Sequence, residues 1–188
     1  MLINNDTIIK DDDSFIRTKS EPVELPLSEE NKQILRELFQ YVQDSTDEEK
    51  AQKLNLRPAV GISAIQIGIP RQLTAVIVHE YDKNDEPITY QYMLANPKIV
   101  SRSIQSAYLE NGEGCLSVPE EHDGFVVRSA RVKVSGYDLL TDQNVTIRAR
   151  GYLAIVLQHE IDHFSGVLFY DHIDPKNPHP DVPGAMVI

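Results

Sequence analysis

Gly151-Tyr-Leu-Ala-Ile-Val-Leu-Gln-His-Glu-Ile-Asp-His-Phe-Ser-Gly166 decides how the rest of this chain is read. Between Tyr152 and Gln158 it carries no Pro, no Gly and almost no polar side chain, which predicts a buried helix. Gly166 is placed to end it in the left-handed conformation. Within the helix stand His159, Glu160 and His163, in the order H-E-x-x-H. Residues four apart are offset by about 40° around a helix axis and about 6 Å along it. Both imidazoles can therefore reach one metal ion, while Glu160, one step round, meets a water on that ion without binding the ion itself. Buried His, Glu and Asp within one turn are costly unless paired or metal-bound, so the stretch reads as a metal site.

A catalytic metal site takes three protein ligands and leaves a position open. The pattern H-E-x-x-H-x-x-G-x-x-H begins correctly but fails at Phe169, and no Glu follows Glu160, so two zinc protease arrangements are excluded. Asp171, His172, Asp174, His179 and Asp181 remain as local third ligands, and Cys115 as a remote one. A lone intracellular cysteine is most often a small buried hydrophobe. Cys115, however, lies in Glu113-Gly-Cys-Leu-Ser-Val-Pro119, in a chain that lacks a ligand, and thiolate binds metal well beside imidazole. A nucleophilic Cys115 would leave the two-histidine helix unexplained.

The other elements, taken in chain order, surround this helix. Length predicts one domain over residues 1–188, with 41% hydrophobic residues. Residues 4–26 read as an irregular acidic lead-in. A first helix starts at Ser28 and buries Ile34, Leu35, Leu38, Phe39 and Val42; Thr46-Asp-Glu-Glu49 reads as a capping box for a second helix through Leu54. Ala59-Val-Gly-Ile-Ser-Ala-Ile-Gln-Ile-Gly68 is an apolar loop or short strand carrying the uncharged amide Gln66. Strands are predicted at 73–78, 88–94, 98–101, 125–128, 131–137 and 145–149, the last two forming a hairpin. That order predicts an α+β fold, with antiparallel sheets packed around the buried central helix.

The net charge of −11 disfavours broad binding to nucleic acid or anionic lipid. No apolar run approaches the roughly 20 residues of a membrane span. Met1-Leu-Ile-Asn-Asn-Asp6 has no secretion-signal pattern, and a single cysteine suits a reducing cytoplasm.

Val60-Gly-Ile-Ser-Ala-Ile-Gln66, Glu113-Gly-Cys-Leu-Ser117 and Gln158-His-Glu-Ile-Asp-His163, in this order, resemble the three motifs of peptide deformylase. The resemblance is to the class typical of Gram-positive bacteria, through the insertion-like stretch 44–56 and the non-basic C-terminal tail. It implies a C-terminal strand, and removal of the N-formyl group from the initiator methionine of nascent proteins. Cys115, His159 and His163 would bind the metal, whose water attacks as hydroxide. Glu160 would act as general base and acid, and Leu116 N–H and the Gln66 amide would stabilise the oxyanion. The backbone of Val60, Gly61 and Gly114 would hold an extended formyl-Met peptide. Ile155 and Val156 would line the methionine pocket, with Glu113 at its rim. The metal implied is Fe²⁺, with Zn²⁺, Ni²⁺ or Co²⁺ as substitutes, in a cytoplasmic monomer working transiently near the ribosome. The first motif departs from the family pattern G-[IV]-G-L-A-A-x-Q at Ala59, Ile62 and Ser63, and Ala59 bears on the width of the substrate groove.

Overall fold

The computed structural model describes residues 3–188; Met1 and Leu2, part of the stretch read for a leader, lie outside the described residues. Helix α1 spans Glu29–Ser45, and Ser28 caps it by accepting the Asn31 N–H at 3.2 Å. Its stripe of Ile34, Leu35, Leu38 and Val42 is buried as expected. Helix α2, Glu48–Leu54, is capped by Asp47 rather than Thr46. Asp47 has extended backbone and its carboxylate takes the Lys50 N–H at 3.1 Å. Thr46 stays helical and turns its hydroxyl back onto the Gln43 carbonyl, so it closes α1 instead.

Strands β1 (Gly61–Ser63), β2 (Leu73–Tyr81), β3 (Pro87–Arg102), β6 (Arg131–Asp138) and β7 (Gln143–Arg150) form one antiparallel sheet in the order β1-β2-β3-β6-β7. Strand alternation divides its residues between two cores. Leu73, Ala75 and Ile77 of β2 pack with α1, whereas Val76 and Val78 pack with helix α3, Gly151–Asp162, on the opposite face. The strands expected at 88–94 and 98–101 are one strand. Asn96 takes a positive φ of 51° and the register shifts between Ala95 and Lys98, so Pro97 sits in a bulge, where its missing N–H is tolerated.

A smaller sheet, β5 (Arg128–Ser129), β4 (Ser106–Tyr108) and β8 (Met186–Val187), closes over the other side of α3. There Ile155 packs against Ala107 and Ala130. The expected C-terminal strand is present as β8, running parallel to β4, so this sheet is mixed. The strand expected at 125–128 is reduced to β5. Phe125 instead stacks its ring on Tyr108 with centroids 4.3 Å apart, and its N–H goes to the Pro178 carbonyl. The architecture is thus α+β, with α3 held between two sheets. No helix among the described residues is long and apolar enough to cross a membrane.

The lead-in is less irregular than its composition suggests. Ser14–Arg17 forms a 3-10 turn, and the residues before it bind the central loops. Ile9 N–H donates to the Gln66 carbonyl, Asp11 N–H to the Ser117 carbonyl, and Lys10 Nζ to the Leu116 carbonyl at 2.9 Å.

Candidate active site

Helix α3 carries His159 and Glu160 and ends at Asp162. His163 opens the following 3-10 turn, still with right-handed helical backbone (φ −55°, ψ −32°), so the i, i+4 relation between the imidazoles survives. Gly166 then takes φ +69° and ends the turn. Cys115 arrives on the loop before β5. The ligand atoms of Cys115, His159 and His163 all lie within 4.8 Å of one another, the one such three-residue His/Cys/Asp/Glu group among the described residues. Cys115 Sγ is 3.5 Å from His163 Nε2.

The alternative third ligands lie elsewhere. Asp171 pairs with Arg17, His172 Nε2 is 2.8 Å from Asp162 Oδ2, and His179 faces Asp123 at 3.1 Å. Asp174 and Asp181 are not in the group either.

Glu113 corrects the expectation of a residue at the pocket rim. Its side chain is only 3% exposed, because Arg128, itself 4% exposed, pulls it inward. Glu113 Oε2 accepts from Arg128 and from His159 Nδ1, the latter at 2.8 Å. His159 thereby turns Nε2 toward Cys115 and His163, the arrangement of a carboxylate-backed metal ligand. Arg128 also reaches Asp162 at 2.8 Å. Among the described residues His163 Nδ1 is buried with no hydrogen-bond partner, so the carboxylate backing found here is that of His159.

The electrostatics follow from this geometry. Burial pushes the Cys115 thiol up, but the neighbouring His163 and His159 imidazoles outweigh it and bring it down to about 6. Burial works against His159 charging, yet Cys115 and Glu113 together raise it well above the usual imidazole range. Glu113 is likewise lowered against burial, by His159 and Arg128. A thiolate and two imidazoles form a soft, compact donor set suited to a late first-row divalent ion.

A cleft of about 330 Å³ opens beside these residues. Its walls include Val60, Gly61, Gln66, Glu113, Gly114, Leu116, Ile155, Val156 and Glu160, together with Cys115 and His159. Gly61 is needed for close approach to a side chain: a Cβ there would lie 2.5 Å from Glu160 Oε1. Ser63 Oγ donates to Glu160 Oε2 at 2.7 Å. Gln66 Oε1 accepts the Ser63 N–H at 2.9 Å, while Nε2 donates to Ser117 Oγ at 3.1 Å and points at Cys115 Sγ, 3.6 Å away. The Val60 carbonyl already accepts the Ile77 N–H, which removes one of the backbone groups expected to hold a peptide.

The polypeptide deformylase family model matches residues 5–179. The chain belongs to that family. Peptide deformylase 2 of Bacillus subtilis is 45% identical over 187 residues, covering 100% of this chain and 99% of that one. Peptide deformylase of Ligilactobacillus salivarius is 41% identical over 100% of both chains. Among solved structures, the deformylase of Ehrlichia chaffeensis in complex with actinonin superposes with a TM-score of 0.72 at 29% identity, covering 95% of this chain and 92% of its own. The Met-Ala-Ser-bound class I type b deformylase of Acinetobacter baumannii gives 0.69 at 26%, covering 92% and 100%. As a deformylase-family chain it is a hydrolase of protein biosynthesis, and the family is metal-dependent.

Sequence reasoning missed Arg128, Asp162, Lys10 and Ser117 as parts of the site's framework. Arg128 carried a signal in principle, since a buried Glu113 beside a buried histidine needs a cation. Lys10 carried none, because 106 residues separate it from Leu116.

Proposed function

We propose that this chain hydrolyses the formyl amide of formyl-methionyl peptides, releasing formate and a free amino terminus. One observation carries the reading: Cys115, His159 and His163 converge on one another, and Cys115 and His159 line a cleft whose wall also holds Glu160. The family supports a nascent-peptide substrate, and the peptide bound to the Acinetobacter baumannii relative begins with methionine, as a deformylated product would. Residues 1–188 act as one catalytic domain.

Cys115 Sγ, His159 Nε2 and His163 Nε2 would hold a divalent ion. When bound, it acidifies the attacking water and polarises the formyl oxygen. Glu160 accepts the proton of that water and returns it to the departing nitrogen, because it is the carboxylate at the cleft not committed to an ion pair. The Gln66 Nε2–H that now points at Cys115 Sγ, and the Leu116 N–H, donate to the oxygen on which charge develops. Strand β1 is an edge of its sheet, so the backbones of Gly61 and, across the cleft, Gly114 hold the peptide as an added strand, beside Val60, whose carbonyl is already used. A Cβ at Gly114 would meet nothing within 4 Å among the described residues, and Gly114 is exposed. Ile155 and Val156 wall the methionine side chain. The ion in the cell is Fe²⁺, replaceable by Zn²⁺, Ni²⁺ or Co²⁺, and the enzyme works as a cytoplasmic monomer near the ribosome.

The test is formate release from a formyl-Met tripeptide, with metal content measured on the same sample. Stoichiometric metal and catalytic formate release are expected. Cleavage of an internal peptide bond would indicate an endopeptidase, and metal-replete protein releasing no formate would indicate a peptide-binding module.

A further inference from the structure

We infer that Ser63 is a positioning residue for the general base, selecting which oxygen of Glu160 serves the reaction. This rests on the proposed hydrolysis and adds a residue to it. Ser63 is fully buried, at the end of β1. Its hydroxyl has one hydrogen and two acceptors in reach: Glu160 Oε2 at 2.7 Å and the Glu160 carbonyl at 3.1 Å. The shorter, charge-assisted path is to the carboxylate. Thr74 Oγ1 also lies 3.4 Å from Oε2, but its hydrogen has a better acceptor in the Ile62 carbonyl at 2.9 Å.

The two carboxylate oxygens are therefore unequal. Oε2 is turned into the protein and tied to Ser63. Oε1 lies against Gly61, where the absence of a side chain makes room, and takes no hydrogen bond among the described residues. Rotation about the terminal torsion of a glutamate is broad and nearly two-fold, so packing alone would select an orientation weakly. A hydroxyl on one side and a glycine on the other fix it. Oε1 faces the cleft, and one oxygen both receives the proton from water and delivers it to nitrogen.

The experiment compares wild type, Ser63→Ala, Glu160→Gln and the double variant. Ser63→Ala is expected to lower kcat by about tenfold to a hundredfold, the range for one hydrogen bond to a charged group, with KM and metal content unchanged. In the Glu160→Gln background, single-turnover formate release should show no further loss from Ser63→Ala. A crystal structure of metal-free Ser63→Ala should show the Glu160 carboxylate rotated from its setting over Gly61. Wild-type kcat in Ser63→Ala, or an equal loss in both backgrounds, would overturn the inference while leaving the reaction intact. Wild-type protein that releases no formate would instead remove the reaction, and the inference with it.

Discussion

His159 Nδ1 lies 2.8 Å from Glu113 Oε2, and the same oxygen accepts from Arg128 at 3.0 Å. The carboxylate thus fixes the imidazole's tautomer while Arg128 and, behind it, Asp162 fix the carboxylate. Glu113→Gln keeps the shape and removes the charge. Metal affinity should fall about 10- to 100-fold, as for other partners of metal-binding histidines, measured by chelator competition. Unchanged affinity would make the contact purely structural.

Cys115→Ser tests the ligand set directly. A neutral hydroxyl is a much poorer ligand than thiolate, so metal occupancy should drop sharply on elemental analysis. Asp171→Ala and His172→Ala should stay loaded, since both side chains are engaged with other residues. The reverse pattern would restore a protease-like third ligand.

Glu160→Gln separates metal binding from proton transfer. The variant should remain metal-replete and bind formyl-Met peptide, yet lose at least the ~10²–10⁴ in rate typical of a positioned general base. Formate release at the wild-type rate would remove Glu160 from the mechanism. Loss of metal would mean that the carboxylate builds the site.

Gln66→Leu should show two effects together. Loss of one oxyanion donor should lower kcat by about 10²–10³. The Ser63 N–H also loses its acceptor in a buried place, which should cost about 1–3 kcal/mol in urea unfolding. A stability loss with kcat unchanged would leave Gln66 only its loop-closing role.

Asp171 gives a pH signature away from the metal cluster. Burial raises its carboxyl, but Arg17 and the Leu168 N–H together hold it below the ordinary 3.8. A depressed folded-state pKa contributes stability above the unfolded value, lost as pH falls through the folded one. Asp171→Asn should therefore be less stable at neutral pH by on the order of 1 kcal/mol, given the pair's exposure. The difference should vanish in acid. A difference that persists there would assign it to packing.

How much of this was legible in the sequence depends on the range of each interaction. The buried α3, its glycine stop and the α1 stripe rest on local periodicity, and they appear where the residues put them. The register of Asn96 and Pro97 does not, because a bulge and a break look alike until the neighbouring strand is seen. Thr46 and Asp47 both make good caps, and only the path of the chain chose between them. At the site, the H-E-x-x-H spacing brought two imidazoles together by helix geometry alone. Glu113 was misjudged because its burial depends on Arg128, 15 residues away, and a carboxylate without its cation reads as a rim residue. Ser63 stood out only as a departure from the first motif, because its contact with the Glu160 carboxylate spans 97 residues.

Gly166 and residues 9–17 tie the end of α3 to the loops of the candidate site. Any side chain at Gly166 would collide with the Arg17 carbonyl, so the end of α3 and the N-terminal segment close on each other. From there the segment runs back to brace the Gln66, Leu116 and Ser117 carbonyls. These contacts join residues far apart in sequence, Lys10 and Leu116 among them, and contacts of that range are slow to close. Residues 9–17 thus belong to the frame of the candidate site, and a tag or truncation reaching them should lower turnover as well as stability.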